Sequence, residues 1–173
     1  MSKAKKRLIG CGVVIAVLGL LAVVTPAGRA IVTLGKTLYN TRDTSESEAF
    51  KGDTADRLNA MFTAAELFHQ SEDAFPKAET WMDDLLTRLQ TQNLKPGEAN
   101  KKIKRPEFDA DPAKFGFAMN GAVAGKYKGD ISDKTTIVFF ESEKTDKNAV
   151  GDPATDKRAG GQGITLEGKI VPL

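Results

Sequence analysis

TADRLNAMFTAAELFHQSEDAFP, residues 54–76, carries the pattern from which the fold of the chain is read. Leu58, Met61, Phe62, Ala65 and Phe68 recur at i, i+3, i+4, i+7 and i+10, the spacing of a helix with one apolar face. Thr54 is a suitable N-cap, because its hydroxyl can accept an amide proton of the first turn. Pro76 sets the other limit: it disfavours helix at Phe75 and has no amide to donate, so the helix should end near Glu72. The segment is an amphipathic helix that covers a core, with Phe62 on its buried side.

Downstream, residues 77–90 present Trp81, Leu85 and Leu89 at i, i+4 intervals, widened by Met82 and Leu86, and predict a second helix. Residues 93–112 hold three prolines and many charges and read as a long ordered loop. The character then changes. Residues 115–123, 135–141, 163–166 and 169–171 are short runs rich in aromatic and β-branched side chains, bounded by glycine and aspartate, and predict strands. Glu167-Gly168 fits a two-residue hairpin turn between the last two. Helices first and strands after give an α+β domain with a small antiparallel sheet.

Upstream lies LIGCGVVIAVLGLLAVVT, residues 8–25, eighteen uncharged and mostly apolar residues behind Lys3, Lys5, Lys6 and Arg7. As a helix at about 1.5 Å per residue it covers roughly 27 Å, enough to span a bilayer. The basic cluster keeps the N-terminus in the cytoplasm, which puts everything after Pro26 outside. A cleavable signal peptide shares the basic and apolar regions. Retention is favoured because the apolar run is long for a signal peptide and apolar character resumes past Pro26 with Ala30, Ile31, Val32, Leu34 and Leu38. Leu8-Ile9-Gly10-Cys11 spells a lipoprotein-type box, but its cysteine precedes the apolar run.

The organisation expected is a cytoplasmic stub (1–7), a transmembrane helix (8–25), a helix extension and polar linker (26–53) and an exported domain (54–173). A chain of 173 residues allows one such domain. A net charge of +2, with much of the excess in the stub, implies no basic surface for nucleic acid. The one cysteine, Cys11, falls in the membrane run, so the exported domain must be held by its core and not by disulfides.

The order of parts resembles a family. Leu8-Ile9, then residues 13–22 (VVIAVLGLLA), then Pro26-Ala27 are similar to the N-terminal helix of type IV prepilins and type II secretion pseudopilins. The helix at 57–70, Phe75-Pro76 and Trp81 are similar to the matching region of pseudopilin-like proteins with an H-X9-DG tail. Arg105-Pro106 stands where that family often has Cys-Pro. Phe117-Ala118-Met119-Asn120, Gly125-Lys126, Thr136-Ile137-Val138-Phe139-Phe140-Glu141, Gly160-Gly161 and Glu167-Gly168-Lys169-Ile170-Val171 follow the family's later series in the same order. The resemblance spans nearly the whole chain and implies a pilin-like fold: a long N-terminal transmembrane helix, further helices and a small antiparallel sheet. Departures fall at the ends. Lys5-Lys6-Arg7-Leu8-Ile9-Gly10 replaces the family's Gly-Phe-Thr-Leu-Ile-Glu, so the peptidase glycine and the glutamate that meets a neighbour's amine are both missing. In the tail, Lys157 or Arg158 stands near the family's histidine and Glu167 replaces its aspartate.

The residues offer little for catalysis. His69 is the one histidine, and Ser71 and Asp73 near it are poorly placed for a triad. Asp83 and Asp84 are adjacent on a helix, so their side chains point about 100° apart and read as a solvated face. Residues 141–156 carry Glu141, Glu143, Asp146, Asp152 and Asp156, oxygen ligands that could gather around calcium; the family's major pseudopilins carry a calcium loop in a comparable region. Charged turn residues joining two strands need no ion and are the stronger reading of the segment, and Lys144, Lys147, Lys157 and Arg158 would repel a cation. No other cofactor is expected.

The expected function is that of a membrane-anchored pseudopilin-like subunit, not an enzyme, whose partners are the membrane and other pilin-like or secretion-system subunits, itself included. Leu8, Val17 and Pro26 belong to the anchor, with Gly10, Gly12 and Gly19 permitting close helix approach. The alternative is a stand-alone anchored binding or sensor domain that never assembles.

Overall fold

A capping box starts the first helix, α1 (Thr54–Glu72), in the computed structural model, which describes residues 49–90, 94, 95 and 97–173, all within the unit Ser47–Leu173. Asp53 is the N-cap, one residue before the expected Thr54: its carboxylate accepts the Asp56 amide at 2.9 Å, and the Asp56 carboxylate accepts the Asp53 amide at 3.2 Å. Aspartate wins because its charge also suits the positive end of the helix. Asp73 closes α1 in the left-handed region, donating its amide to the His69 carbonyl. Leu58, Met61, Ala64 and Ala65 are buried, whereas Phe62 is only half-buried, at the margin of the core it was expected to fill. The expected stub (1–7), membrane helix (8–25) and most of the extension lie outside the described residues. Among the described residues no helix is long and apolar enough to cross a membrane.

The second helix, α2, is Trp81–Leu89 and starts four residues later than the spacing predicts. Its cap comes from far along the chain: Asn148, at φ 56°, accepts the Met82 amide at 2.8 Å and donates to the Glu79 carbonyl at 2.7 Å. Trp81 is fully buried, donates its indole N–H to the Ala149 carbonyl at 3.1 Å and meets the Phe139 ring at 5.2 Å between centroids. The stretch expected as a loop contains two short 3-10 helices, Glu98–Ile103 and Pro106–Phe108, with Ala99 and Ile103 in the core.

The strands are β1 (Phe117–Asn120), β2 (Ile137–Glu141), β3 (Val150–Gly151), β4 (Gln162–Thr165) and β5 (Ile170–Pro172), in the order β3-β1-β2-β4-β5. The sheet is mixed, not purely antiparallel as expected: β3 runs parallel to β1, while the other three pairings are antiparallel. Two residues leave too little pattern to announce β3. A register shift opposite β4, between Ile137 and Phe139, breaks the alternation of β2. Val138 and Phe139 therefore both join the core formed with α1 and α2, while Ile137 and Phe140 pack with Ala118, Ala149 and Leu173 in a second cluster.

The β4–β5 hairpin is longer than a two-residue turn. The Gly168 amide reaches the Thr165 carbonyl at 2.9 Å and the Thr165 amide reaches Lys169 at 3.0 Å, with Gly168 at φ +74° beside the Phe62 ring. A side chain there would meet both an unfavourable φ and Phe62. The Leu173 amide donates to the Gly161 carbonyl at 3.0 Å, so the backbone polar groups of Lys169, Val171 and Leu173 point toward β4 and those of Ile170 and Pro172 toward the open edge. Pro172 has no N–H, which blunts that edge without breaking the ladder.

Candidate functional site

The five acidic residues of the 141–156 segment do not converge. Glu141 ends β2 with a carboxylate that is 4% exposed and fully engaged: one oxygen accepts the Gln162 amide at 2.8 Å, the other the Arg158 guanidinium at 3.1 Å. Asp156 accepts the Asp152 amide at 3.0 Å and the Lys144 ammonium at 2.9 Å. Lys144 also donates to the Val150 carbonyl at 2.9 Å. The ammonium thus sits between a carboxylate and a carbonyl oxygen, the donor types a calcium ion would use. Its hydrogen bond, and then that of the Asp152 amide, hold the Asp156 carboxyl below its usual range. Glu143, Asp146 and Asp152 are exposed. Among the described residues no three acidic, histidine or cysteine side chains form a group able to hold a metal ion.

Arg158 ties the tail to β2 through Glu141 and approaches Glu107 at 3.6 Å. Glu107 also lies 3.3 Å from Arg105 Nε, close enough for attraction but off the N–H direction, so Nε and Nη1 of this buried guanidinium lack a hydrogen-bond partner. Arg105 stacks on Phe108, 4.8 Å from guanidinium to ring centroid, and passes so close to Gly116 that a Cβ there would collide with Nε and with the Phe108 ring. The Glu141–Arg158 pair borders a cavity of about 290 Å³ together with the start of α1 at Asp53, Thr54 and Ala55. Both acid and base there are already paired, which suits a structural junction better than proton transfer.

His69 is not part of a triad. Ser71 Oγ donates to the Phe68 carbonyl and accepts from Arg88, and Asp73 is the C-cap of α1. The imidazole instead stacks on Tyr127 and accepts the Lys128 amide. Asp83 and Asp84 diverge as expected: Asp83 pairs with Lys147, which lowers its carboxyl below the usual range, while Asp84 accepts the Thr80 hydroxyl.

A shallow groove of about 450 Å³ runs between α1 and α2, floored by Ala60, Ala64 and Leu89 and bordered by Leu67, which is 46% exposed. Arg88 and Lys102 stand at its rim. Arg88 stacks on Phe68 at 4.6 Å, and Lys102 donates to the Leu89 carbonyl at 3.2 Å, with burial pushing its ammonium below the usual lysine value. Neither has a carboxylate partner among the described residues. Such a surface can take part in protein contacts.

Sequence reading missed the residue that organises this side of the molecule. Arg57 is 2% exposed, and its guanidinium donates to the carbonyls of Gly52, Lys101 and Lys104 and bidentately to Asp109. The usable signal was a cation beside Leu58 on a helix whose face is otherwise buried; nothing local pointed to Asp109. Leu8, Gly10, Gly12, Val17, Gly19 and Pro26, the expected anchor residues, lie outside the described residues. Comparison with protein-family models, curated proteins and solved structures found no match to this chain.

Proposed function

We propose that the chain is a membrane-anchored pseudopilin-like subunit that acts through protein contacts, with residues 8–25 in the cytoplasmic membrane, its N-terminus in the cytoplasm and its folded unit outside. The observation that carries this reading is a coincidence of motif and framework. The segments on which the family resemblance rests supply β1, β2 and most of β5, and α1 packs against the sheet they build. Residues that differ from the family's tail pattern, Arg158 and Glu167, sit at a charge-paired junction and in a hairpin turn. A tail used as framework tolerates that change; a tail used for ligand binding does not.

Gly10 favours a second reading, an anchored binding domain that never assembles, because it supplies no carboxylate to a neighbour's amine within the bilayer. Co-expression with a prepilin peptidase and an assembly ATPase separates the two. The unmodified protein alone should form no filaments but should cross-link to pilin-like subunits when these are present. Lys5→Gly, Lys6→Phe and Gly10→Glu together should make it a better peptidase substrate by intact mass. Absence of any cross-link, before and after that restoration, would favour the stand-alone domain. Abundant filaments from the unmodified chain alone would show that its helix packs without the glutamate.

A further inference from the structure

His69 lies in the last turn of α1, and its ring is packed between two aromatic side chains: Phe75 at 5.5 Å and Tyr127, stacked, at 5.1 Å. Its Nε2 accepts the backbone amide of Lys128 at 3.0 Å. An amide N–H can only donate, so the ring must offer a lone pair at Nε2 and carry its single proton on Nδ1. The Lys128 turn joins β1 to β2, and two other bonds pin the same loop independently: Phe75 amide to Lys126 carbonyl at 2.8 Å and Gly125 amide to Pro76 carbonyl at 2.9 Å. Tyr127 is 50% exposed, one of two large apolar side chains so exposed among the described residues.

We propose that His69 is an acid-sensitive latch: the neutral imidazole holds the Lys128–Asp130 turn against α1, and protonation of Nε2 releases that turn and re-aims Tyr127. A proton on Nε2 occupies the lone pair that accepted the amide and sets two donors against each other. The ring must then rotate, and its stacked Tyr127 moves with it. The charged and titratable groups around the ring are Tyr127 on its face, the Lys128 ammonium paired with Glu66 at 2.9 Å on the α1 side, Lys126 one residue before Tyr127, and Asp73, whose amide donates to the His69 carbonyl. Histidine is the side chain that ordinarily changes charge between about pH 5 and 8, a range that an extracytoplasmic domain meets when its surroundings acidify. With the folded unit outside the membrane, as the proposed function has it, the consequence is a contact surface whose exposed aromatic depends on external acidity.

The test is amide-resolved hydrogen exchange on the full-length protein in micelles at about pH 8 and about pH 5, each corrected for intrinsic exchange. Protection of the Lys128 amide should fall by about tenfold at the lower pH, while the Phe75 and Gly125 amides keep theirs. His69→Gln, which can still accept but does not titrate, should abolish the step, and Glu66→Gln should preserve it. Equal Lys128 protection at both pH values would overturn the latch, as would a step that survives in His69→Gln or disappears in Glu66→Gln. Joint loss of the Phe75 and Gly125 amides would also overturn it, since the whole loop would then be opening.

Discussion

Replacing Arg57 with alanine should destabilise the folded unit by about 3 to 4 kcal/mol. Its guanidinium holds the 98–109 segment onto α1 through Lys101 at 2.6 Å, Lys104 at 3.0 Å and Asp109 at 2.9 Å. Truncation leaves the Lys104 carbonyl buried without a donor, a loss of about 1 to 2 kcal/mol. It also removes the packing of the side-chain stem and the Phe50 contact, for about 1 kcal/mol more. The ion pair adds only about 1 kcal/mol, because Asp109 is 30% exposed and water takes over part of its solvation. Asp109→Ala should therefore cost less, about 1 to 2 kcal/mol, since Arg57 keeps its carbonyl partners. Trp81 is the sole tryptophan and fully buried, so urea melts of the full-length protein in micelles can be followed by its fluorescence. Hydrogen exchange in residues 98–109 should rise in both variants. An Arg57→Ala loss below about 1 kcal/mol, or a larger loss from Asp109→Ala, would refute the reasoning.

Phe139→Ala should cost about 3 to 5 kcal/mol and Phe62→Ala about half as much, because Phe139 is fully buried and Phe62 sits half-exposed at the hairpin; equal losses in the same melts would mean the core is misplaced. Lys144→Ala should raise the Asp156 carboxyl midpoint, read by carbon-detected NMR, because its largest depressing influence is removed. Since that midpoint lies below its unfolded value, the contribution of Asp156 is present above the usual carboxylate range and fades as pH falls through the folded midpoint; stability that rises on acidification through this range would reverse the sign. A calcium titration of the Lys144→Ala variant then asks whether the ammonium had been standing in for a cation, and no binding at millimolar calcium would say that it had not. Val17→Arg should weaken membrane insertion by about 2.5 to 3.5 kcal/mol, seen as release of the full-length protein by carbonate; unchanged retention would remove residues 8–25 from the anchor.

Period and punctuation determined both α-helices and four of the five strands from sequence alone. The 3.6-residue spacing of Leu58, Met61 and Ala65 and the stop at Pro76 define α1, and β-branched and aromatic runs define β1, β2, β4 and β5, because these signals arise from the chain's own geometry. Everything that required a distant partner was decided by the tertiary structure. Asn148 caps α2 across 66 residues, Asp109 completes the Arg57 clamp across 52, and β3 exists only because β1 offers it a parallel edge. The acidic run at 141–156 shows the same division most clearly. Its carboxylates were plain in the sequence, but whether they would meet a metal or one another depended on how the loop returns to the sheet. Folding delivers Arg158 to Glu141 and Lys144 to Asp156, since a buried or crowded carboxylate is stabilised by whichever cation the backbone brings within reach, and sequence spacing says little about which one that is.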